Sequence, residues 1–501
     1  MRPHRLPVAV LIVVSGGLLA TYFLNSPRAV LEFDSQNSLG TPTYVGAAKE
    51  ILQGHLVSTG RLPGYPVLLA LLGGGGGFFT LVVALQCLMF VAAVLLTYLV
   101  AWRAFGKRWI ALLLGLTLAT DVYAAAYVKE ILSESLALVL VSGLLAAVVS
   151  FTIRPRASAA WLIAALATAT TFTRPEWILL PLALALYFAV WAVRRPMPRS
   201  VLLHGLAATG AAYALVALYI AGNAVFNHFP GTSEINNISI LGKVMQYNMQ
   251  LEAPAQYRDQ ALIVDQYVNV SHLNVWHVVT ENPAFAADHY QLSGAFGRAV
   301  LLADPLKYAR YSLDIAFTHN ADVDRPLLHL APNGPLRLEL SGLAHYTAFR
   351  YSFYWLLPAF ALLWALLPLL SRRSWSLDVL GPVAAVALYG TLIVSFGGFD
   401  EYGRYHMVYL PAINLLVWGT LLLNVVIAGR ASAVLGPLAP ALVIGEIAAV
   451  IVLTMAPSVG LSVLLTIVAA VLQGLLAWFG LAEPVPAARP SPEPQAARTR
   501  G

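Results

Sequence analysis

Carboxylates and guanidinium groups stand at four separate places in this 501-residue chain, each at the end of an apolar run. Glu32 and Asp34 follow the first run, in "EFDSQNSLGTPTY" at 32–44. Glu130 and Glu134 open a later run in "YVKEILSESLAL", where the i, i+4 spacing predicts both on one helix face. Arg174 lies in "TFTRPEW" between two short runs, and Asp400, Glu401 and Arg404 lie in "GGFDEYGRYHMVYLP". A carboxylate can take a proton from a hydroxyl. A guanidinium presents a planar fork of donors to phosphate or carboxylate. Plainer explanations exist for each group. The helix dipole favours acidic residues at a helix start, Arg174 can extend to lipid headgroups, and 400–404 can be a solvated loop with an internal ion pair.

The runs that carry these groups are long enough to cross a bilayer. The chain is 59% hydrophobic and 11% charged, with a mean hydropathy of +0.73, whereas a soluble domain carries about 25% charged residues. The sequence therefore predicts an all-α polytopic membrane protein with about 12 transmembrane helices (11–13). They fall near 7–24, 79–102, 109–127, 131–152, 158–173, 177–193, 201–222, 349–370, 378–396, 405–428, 433–455 and 460–480. Continuous runs in place of alternation exclude a porin-like barrel. The first run has no clear A-x-A site and is expected to stay as an uncleaved span. A single Cys87 excludes an intramolecular disulfide or a cysteine metal cluster.

The net charge of +6 follows from topology, and nothing suggests nucleic-acid binding. Arg103, Lys107, Arg108, Arg154, Arg156, Arg194, Arg195, Arg199, Arg372, Arg373 and Arg430 occupy alternate short loops, which predicts that both termini are cytoplasmic. Residues 25–78 and 223–348 then face outward. The expected organisation is an N-terminal transmembrane module at 1–222, a small mixed extracytoplasmic loop domain at 223–348, transmembrane helices over 349–480, and a disordered cytoplasmic tail at 481–501. Tyr44, Ala47, Ala48, Ile51, Leu52 and His55 recur at helical spacing, as in a short amphipathic helix along the outer membrane face. Further helices are expected at 284–303 and 305–318. Glu446 is the one clear acidic residue within a span. His55, His228 and His289 are surface residues in this reading, and no metal site is inferred.

Taken together, "TPTYVGAAKEILQGH", "RLPGYPVLLALL", "SESL", "TRPEWILLPL" and "EYGRYHMVYLP" resemble, in order, motifs of the C-type membrane glycosyltransferases that use polyprenyl-phosphate sugars. That family includes the protein O-mannosyltransferases and the lipid A aminoarabinose transferases. The resemblance covers roughly residues 1–200 and 395–425 and implies a GT-C-like helical bundle. It also implies inverting transfer from a polyprenyl-phosphate-linked sugar at the outer face of a bacterial cytoplasmic (inner) membrane. Membrane lipids are partners, the acceptor (lipid, glycan or protein) is open, and no cofactor is called for, with a divalent metal left open. By this match Asp34 is the base and Glu134, or else Glu130, a second acidic residue. Arg174 and Arg404, with Arg61, bind the donor phosphate; Tyr44, Tyr65, Glu401 and Tyr402 line the site. One position departs from the family: Gly40 stands where D-T-P-x-Y places its acid. Either Asp34 serves from a longer loop, or Glu32 does, or the base is lost. Asp34 is the favoured reading, and a non-catalytic scaffold or a lipid or solute transporter is the alternative to an enzyme.

Overall fold

In lipid, a backbone must satisfy its own hydrogen bonds, so each apolar run here becomes a helix. The computed structural model describes residues 4–26, 43–55, 57–73, 78–194, 197–319, 334–370, 375–399 and 402–435, with a few isolated positions besides. Glu32, Asp34, Gly40, Asp400, Glu401 and Glu446 lie outside the described residues, as do the tail and most of the expected spans at 433–455 and 460–480.

The first part contains α1 (Arg5–Asn25), α2 (Tyr44–Leu52), α3 (Gly64–Leu71), α4 (Phe78–Phe105), α5 (Arg108–Ala119), α6 (Val122–Tyr127), α7 (Glu134–Ile153), α8 (Ala157–Thr173), α9 (Leu180–Arg194) and α10 (Arg199–Phe226). A segment of shorter helices follows: α11 (Ile235–Gln246), α12 (Arg258–Asp265), α13 (Val275–Glu281), α14 (Pro283–Ala303) and α15 (Pro305–Thr318). The last part contains α16 (Arg337–Ser352), α17 (Leu357–Leu370), α18 (Trp375–Gly397) and α19 (Tyr402–Leu435). No strand occurs among the described residues.

Seven helices among the described residues are long and apolar enough to cross a membrane: α1, α4, α7, the stretch Pro175–Val193 that includes α9, α10, α18 and α19. The apolar helices α5 and α8 are shorter, at 12 and 17 residues. The most buried spans are α19, α18 and α7, in that order, and α10 is the least buried. Around the α7–α19 pair, α4 packs on α5 and α7, α8 on α7, α10 on α8, and α18 on α17 and α19. Within the intervening segment α11 packs on α13 and α14, while α15 lies against α18.

The structure corrects several expectations. The span at 109–127 is not continuous, because α5 stops at Ala119 and Asp121 caps α6 by accepting from the Ala124 amide at 2.9 Å. Residues 128–133 form turns and bends, so α7 begins at Glu134, and Glu130 is not on its face. Asp121, at the break after α5, is fully buried and bonds Arg350 Nη2 at 3.0 Å and the Tyr351 hydroxyl at 2.9 Å. Those two partners belong to the expected span at 349–370, which is itself broken by a 3-10 turn at Phe353–Leu356 between α16 and α17. The surface helix α2 stops at Leu52, and α3 starts at "GYP", with Pro66 in its first turn, where a missing N–H costs little. Finally, α14 spans the expected residues but is kinked where Asp288, His289 and Tyr290 all take left-handed φ of 49, 58 and 59°.

Removing the Asp121 carboxylate leaves the buried Arg350 guanidinium uncompensated. Asp121→Ala is expected to cost about 3–5 kcal/mol, seen as a lowered thermal unfolding midpoint in detergent. An unchanged midpoint contradicts the structural role.

Candidate functional site

The site begins with the short sequence Thr173–Arg174–Pro175. A residue before proline is driven out of the helical region, and Arg174 is extended (φ −146°, ψ 118°), so α8 ends there. A 3-10 turn at Pro175–Trp177 follows, held by the Thr171 hydroxyl donating to the Trp177 carbonyl at 3.0 Å. Buried Trp177 packs against the rings of Tyr389 and Tyr409. The turn thus fixes the direction in which the Arg174 side chain leaves the backbone.

That side chain reaches Glu134, the first residue of α7, where the helix N-terminus favours a carboxylate. Arg174 Nη1 donates to Glu134 Oε1 at 2.7 Å, and Arg404 Nε, from the first turn of α19, donates to the same oxygen at 2.5 Å. Glu134 is fully buried, and its Oε2 has no hydrogen-bond partner among the described residues. Two neighbouring guanidinium groups repel one another, and two neighbours offset this: Glu176 accepts from Arg174 Nε, and the Tyr405 ring lies 5.1 Å from the Arg174 guanidinium carbon.

A second layer comes from the N-terminal part. Thr43 caps α2, with its hydroxyl accepting from the Gly46 amide at 2.9 Å. Tyr44, Ala47 and Ala48 form the buried face of that helix, at the expected spacing. The Tyr44 hydroxyl bonds the Ser133 hydroxyl at 3.1 Å, one residue before Glu134. The Tyr65 ring meets Tyr44 edge-on at 5.2 Å, and the Arg61 guanidinium carbon lies 4.5 Å from the Tyr44 ring centre. Tyr65 donates to Gln86 Oε1 at 2.8 Å, and Gln86 Nε2 donates to the carbonyls of Val128 and Glu130. This close seating of α3 on α8 needs a glycine, since a Cβ on Gly64 would come within 2.7 Å of the Phe172 carbonyl oxygen.

The structure therefore gathers Glu134, Arg174 and Arg404, with Tyr44, Tyr65 and Arg61 beside them. Glu130 is buried in the bend before α7, with its carbonyl bonded to Gln86. Tyr402, expected to line the site, turns its hydroxyl to Gln246 Oε1 at 2.8 Å and to Lys243 Nζ at 3.0 Å. Asp34 and Glu401 lie outside the described residues. Among the described residues no group of three His, Cys, Asp or Glu side chains is placed to hold a metal ion.

Several polar residues of this region escape the sequence reading. Glu176 sits two positions from Arg174 in "TRPEW", and Tyr405 follows Arg404, so both were in quoted motifs without an assigned role. Lys243 was missed altogether. Its one signal is a charge within the apolar run "ILGKVM". It is buried on α11 and donates to the Ser395 carbonyl at 2.7 Å and to the hydroxyls of Tyr247 at 2.9 Å and Tyr402 at 3.0 Å. The shorter-helix segment is thereby tied to the link between α18 and α19, two residues from Arg404. Gly242 permits the approach, because a Cβ there would sit 2.6 Å from the Phe399 ring.

No family model matches the chain, and no curated protein does. Among solved structures it is similar to the archaeal oligosaccharyltransferase AglB from Archaeoglobus fulgidus, in complex with an inhibitory peptide and a dolichol-phosphate. The identity is 13% and the TM-score 0.45 over 96% of this chain. The chain spans 56% of that protein's chain, a little over half its length. A likeness this loose assigns no role to any residue and no substrate to the chain.

Burial pushes the Lys243 ammonium down to about 7, from an ordinary lysine value of about 10.4. Between those values the unfolded chain binds more protons than the native one, so stability rises with pH across that window. As pH falls through about 7 the stabilisation is lost. Unfolding midpoints in detergent from pH 6 to 9 should rise for the wild type and rise less for Lys243→Met. Equal slopes in the two proteins count against a buried, neutralising lysine.

Proposed function

We propose that the chain is an inverting glycosyltransferase that moves a sugar from a polyprenyl-phosphate donor to an acceptor hydroxyl. The reaction takes place at the extracytoplasmic face of a bacterial cytoplasmic membrane. The observation that carries this reading is the convergence of Arg174 and Arg404, 40 and 270 residues from Glu134 in sequence, on that one carboxylate. The motif resemblance over 1–200 and 395–425 supports it independently.

The chemistry needs a proton acceptor and a cationic cradle. The acceptor oxygen attacks the anomeric carbon from the face opposite the phosphate, and its proton passes to a carboxylate. The bond from the anomeric carbon to the phosphate oxygen breaks, and its electron pair leaves on the polyprenyl phosphate. Negative charge grows on that oxygen as the bond breaks, and preorganised guanidinium donors stabilise it there. Arg174 commits two of its five N–H donors to Glu134 and Glu176, so its fork has further donors to offer an oxyanion. Glu134 acts in this scheme as the group that aims both forks. Asp34 remains the proposed base on its position in the first outer loop, with Tyr44, Tyr65 and Arg61 shaping the entrance. The donor's isoprenoid chain stays in the bilayer while its headgroup meets the arginines. A non-catalytic scaffold is the second reading, favoured by Gly40 at the family's acidic position.

Purified protein given radiolabelled polyprenyl-phosphate sugars and membrane extract tests this directly. Transfer should be abolished by Asp34→Asn and lowered about 10²–10³-fold by Arg174→Gln or Arg404→Gln, the usual effect of losing one oxyanion donor. Transfer unaffected by Asp34→Asn removes Asp34 as the base. No transfer from any donor removes the enzyme reading and leaves the scaffold.

A further inference from the structure

A concavity unrelated to the arginine cluster opens between α7, α8, α9 and α10. Its walls include Phe151, Ile163, Leu184, Phe188, Val201 and Gly205. Phe151 lies 17 residues beyond Glu134 on α7, about 25 Å along the helix axis. The groove therefore reaches from Pro181, seven residues after Arg174, towards the end of the bundle far from the candidate site. Its enclosed space is about 70 Å³, well below the roughly 300–1,000 Å³ of a closed small-molecule pocket, so an occupant lies along an open groove. Among the lining residues Thr209 carries a polar side chain, and its hydroxyl donates to the Gly205 carbonyl at 2.9 Å. The interior thus offers only apolar contact.

The mouth of the groove is different. Met197 lies there, and the lining on α10 runs from Val201 to Thr209, about 12 Å of helix. One leaflet of hydrocarbon is about 15 Å deep. Arg154, Arg156 and Arg199 are exposed within a few residues of the lining residues Phe151, Ala160 and Val201. The connecting segments 154–157 and 194–200 contain no Asp or Glu. Trp161, half-exposed on α8, donates to His204 Nδ1 on α10 at 3.3 Å, as an aromatic at the membrane–water boundary does.

We infer that this groove is a lipid site that seats one acyl chain of an anionic glycerophospholipid, with its headgroup phosphate among Arg154, Arg156 and Arg199. Lipid tails are as apolar as the groove, so burying a chain there gains little by itself. Selection falls to the basic rim, where each Lys or Arg contributes roughly a fivefold preference for anionic lipid. A polyprenyl-phosphate donor with its phosphate on this basic rim would hold that phosphate about 25 Å along α7 from Glu134 and the arginines bonded to it.

The test uses the full chain in nanodiscs of equal phosphatidylglycerol and phosphatidylcholine, followed by native mass spectrometry of the lipid retained in detergent. The wild type should retain one phosphatidylglycerol several-fold in preference to phosphatidylcholine. Gly205→Leu fills the groove, and an added Cβ there meets nothing within 4 Å, so the variant should fold and lose the lipid. Ala189→Phe, an exposed position on the groove wall, serves as the second filling variant if the first melts early. Replacing Arg154, Arg156 and Arg199 together by Gln should bring the preference close to one. Equal retention of the two lipids, unchanged retention in the filled variants, or a retained polyprenyl phosphate each overturns the proposal.

Discussion

A fully buried carboxylate shared by two arginines fixes the geometry of one whole end of this protein. Charge in a lipid-embedded interior is costly unless it is paired. Glu134 meets that condition where three chain segments meet: the start of α7, the turn after α8 and the first turn of α19. Losing the carboxylate at the start of α7 takes from both arginines the charge they share. The nearby elements are added to this arrangement. Tyr44 joins through Ser133, Tyr65 through Gln86, and Tyr405 stacks on the Arg174 guanidinium. The shape of the proposed cavity therefore follows from where one oxygen atom must find its donors.

The shorter-helix segment is connected to the same end by a different kind of contact. Lys243 has hydroxyls and a carbonyl around it in place of a carboxylate, and it bonds Tyr402 just before Arg404. Movement of α11 would reach the start of α19 through Tyr402, two residues from Arg404. The segment with no recognisable motif is thus mechanically joined to a residue that has one.

How much of this was legible in the sequence depended on the range of the interaction. Apolar runs mark the helices because the bilayer dictates their length, and α1, α4, α7 and α10 lie close to where hydropathy places them. "TRPEW" reveals Arg174 because proline acts on its immediate neighbour. The i, i+4 argument for Glu130 failed, since the bend at 128–133 is set by contacts that local spacing does not record. Asp121 was lost inside an apolar run, and its partner Arg350 lies 229 residues away. Lys243 likewise takes its meaning from Ser395 and Tyr402, far along the chain. Asp34, the residue the motif reading favours most, falls outside the described residues, so its place rests on the sequence.

The separation of Asp121 from Arg350 also bears on how the chain is made. At 12 residues α5 is about 18 Å long, too short to cross about 30 Å of hydrocarbon alone. An aspartate left at membrane depth costs about 2.5–3.5 kcal/mol on insertion scales. At translation rates of about 5–20 residues per second, the arginine that neutralises it emerges on the order of ten to fifty seconds later. During that interval the segment from α5 to α6 carries its aspartate without that partner. A chain cut short before residue 350 would therefore keep a membrane-depth acid without the arginine that neutralises it in the whole protein.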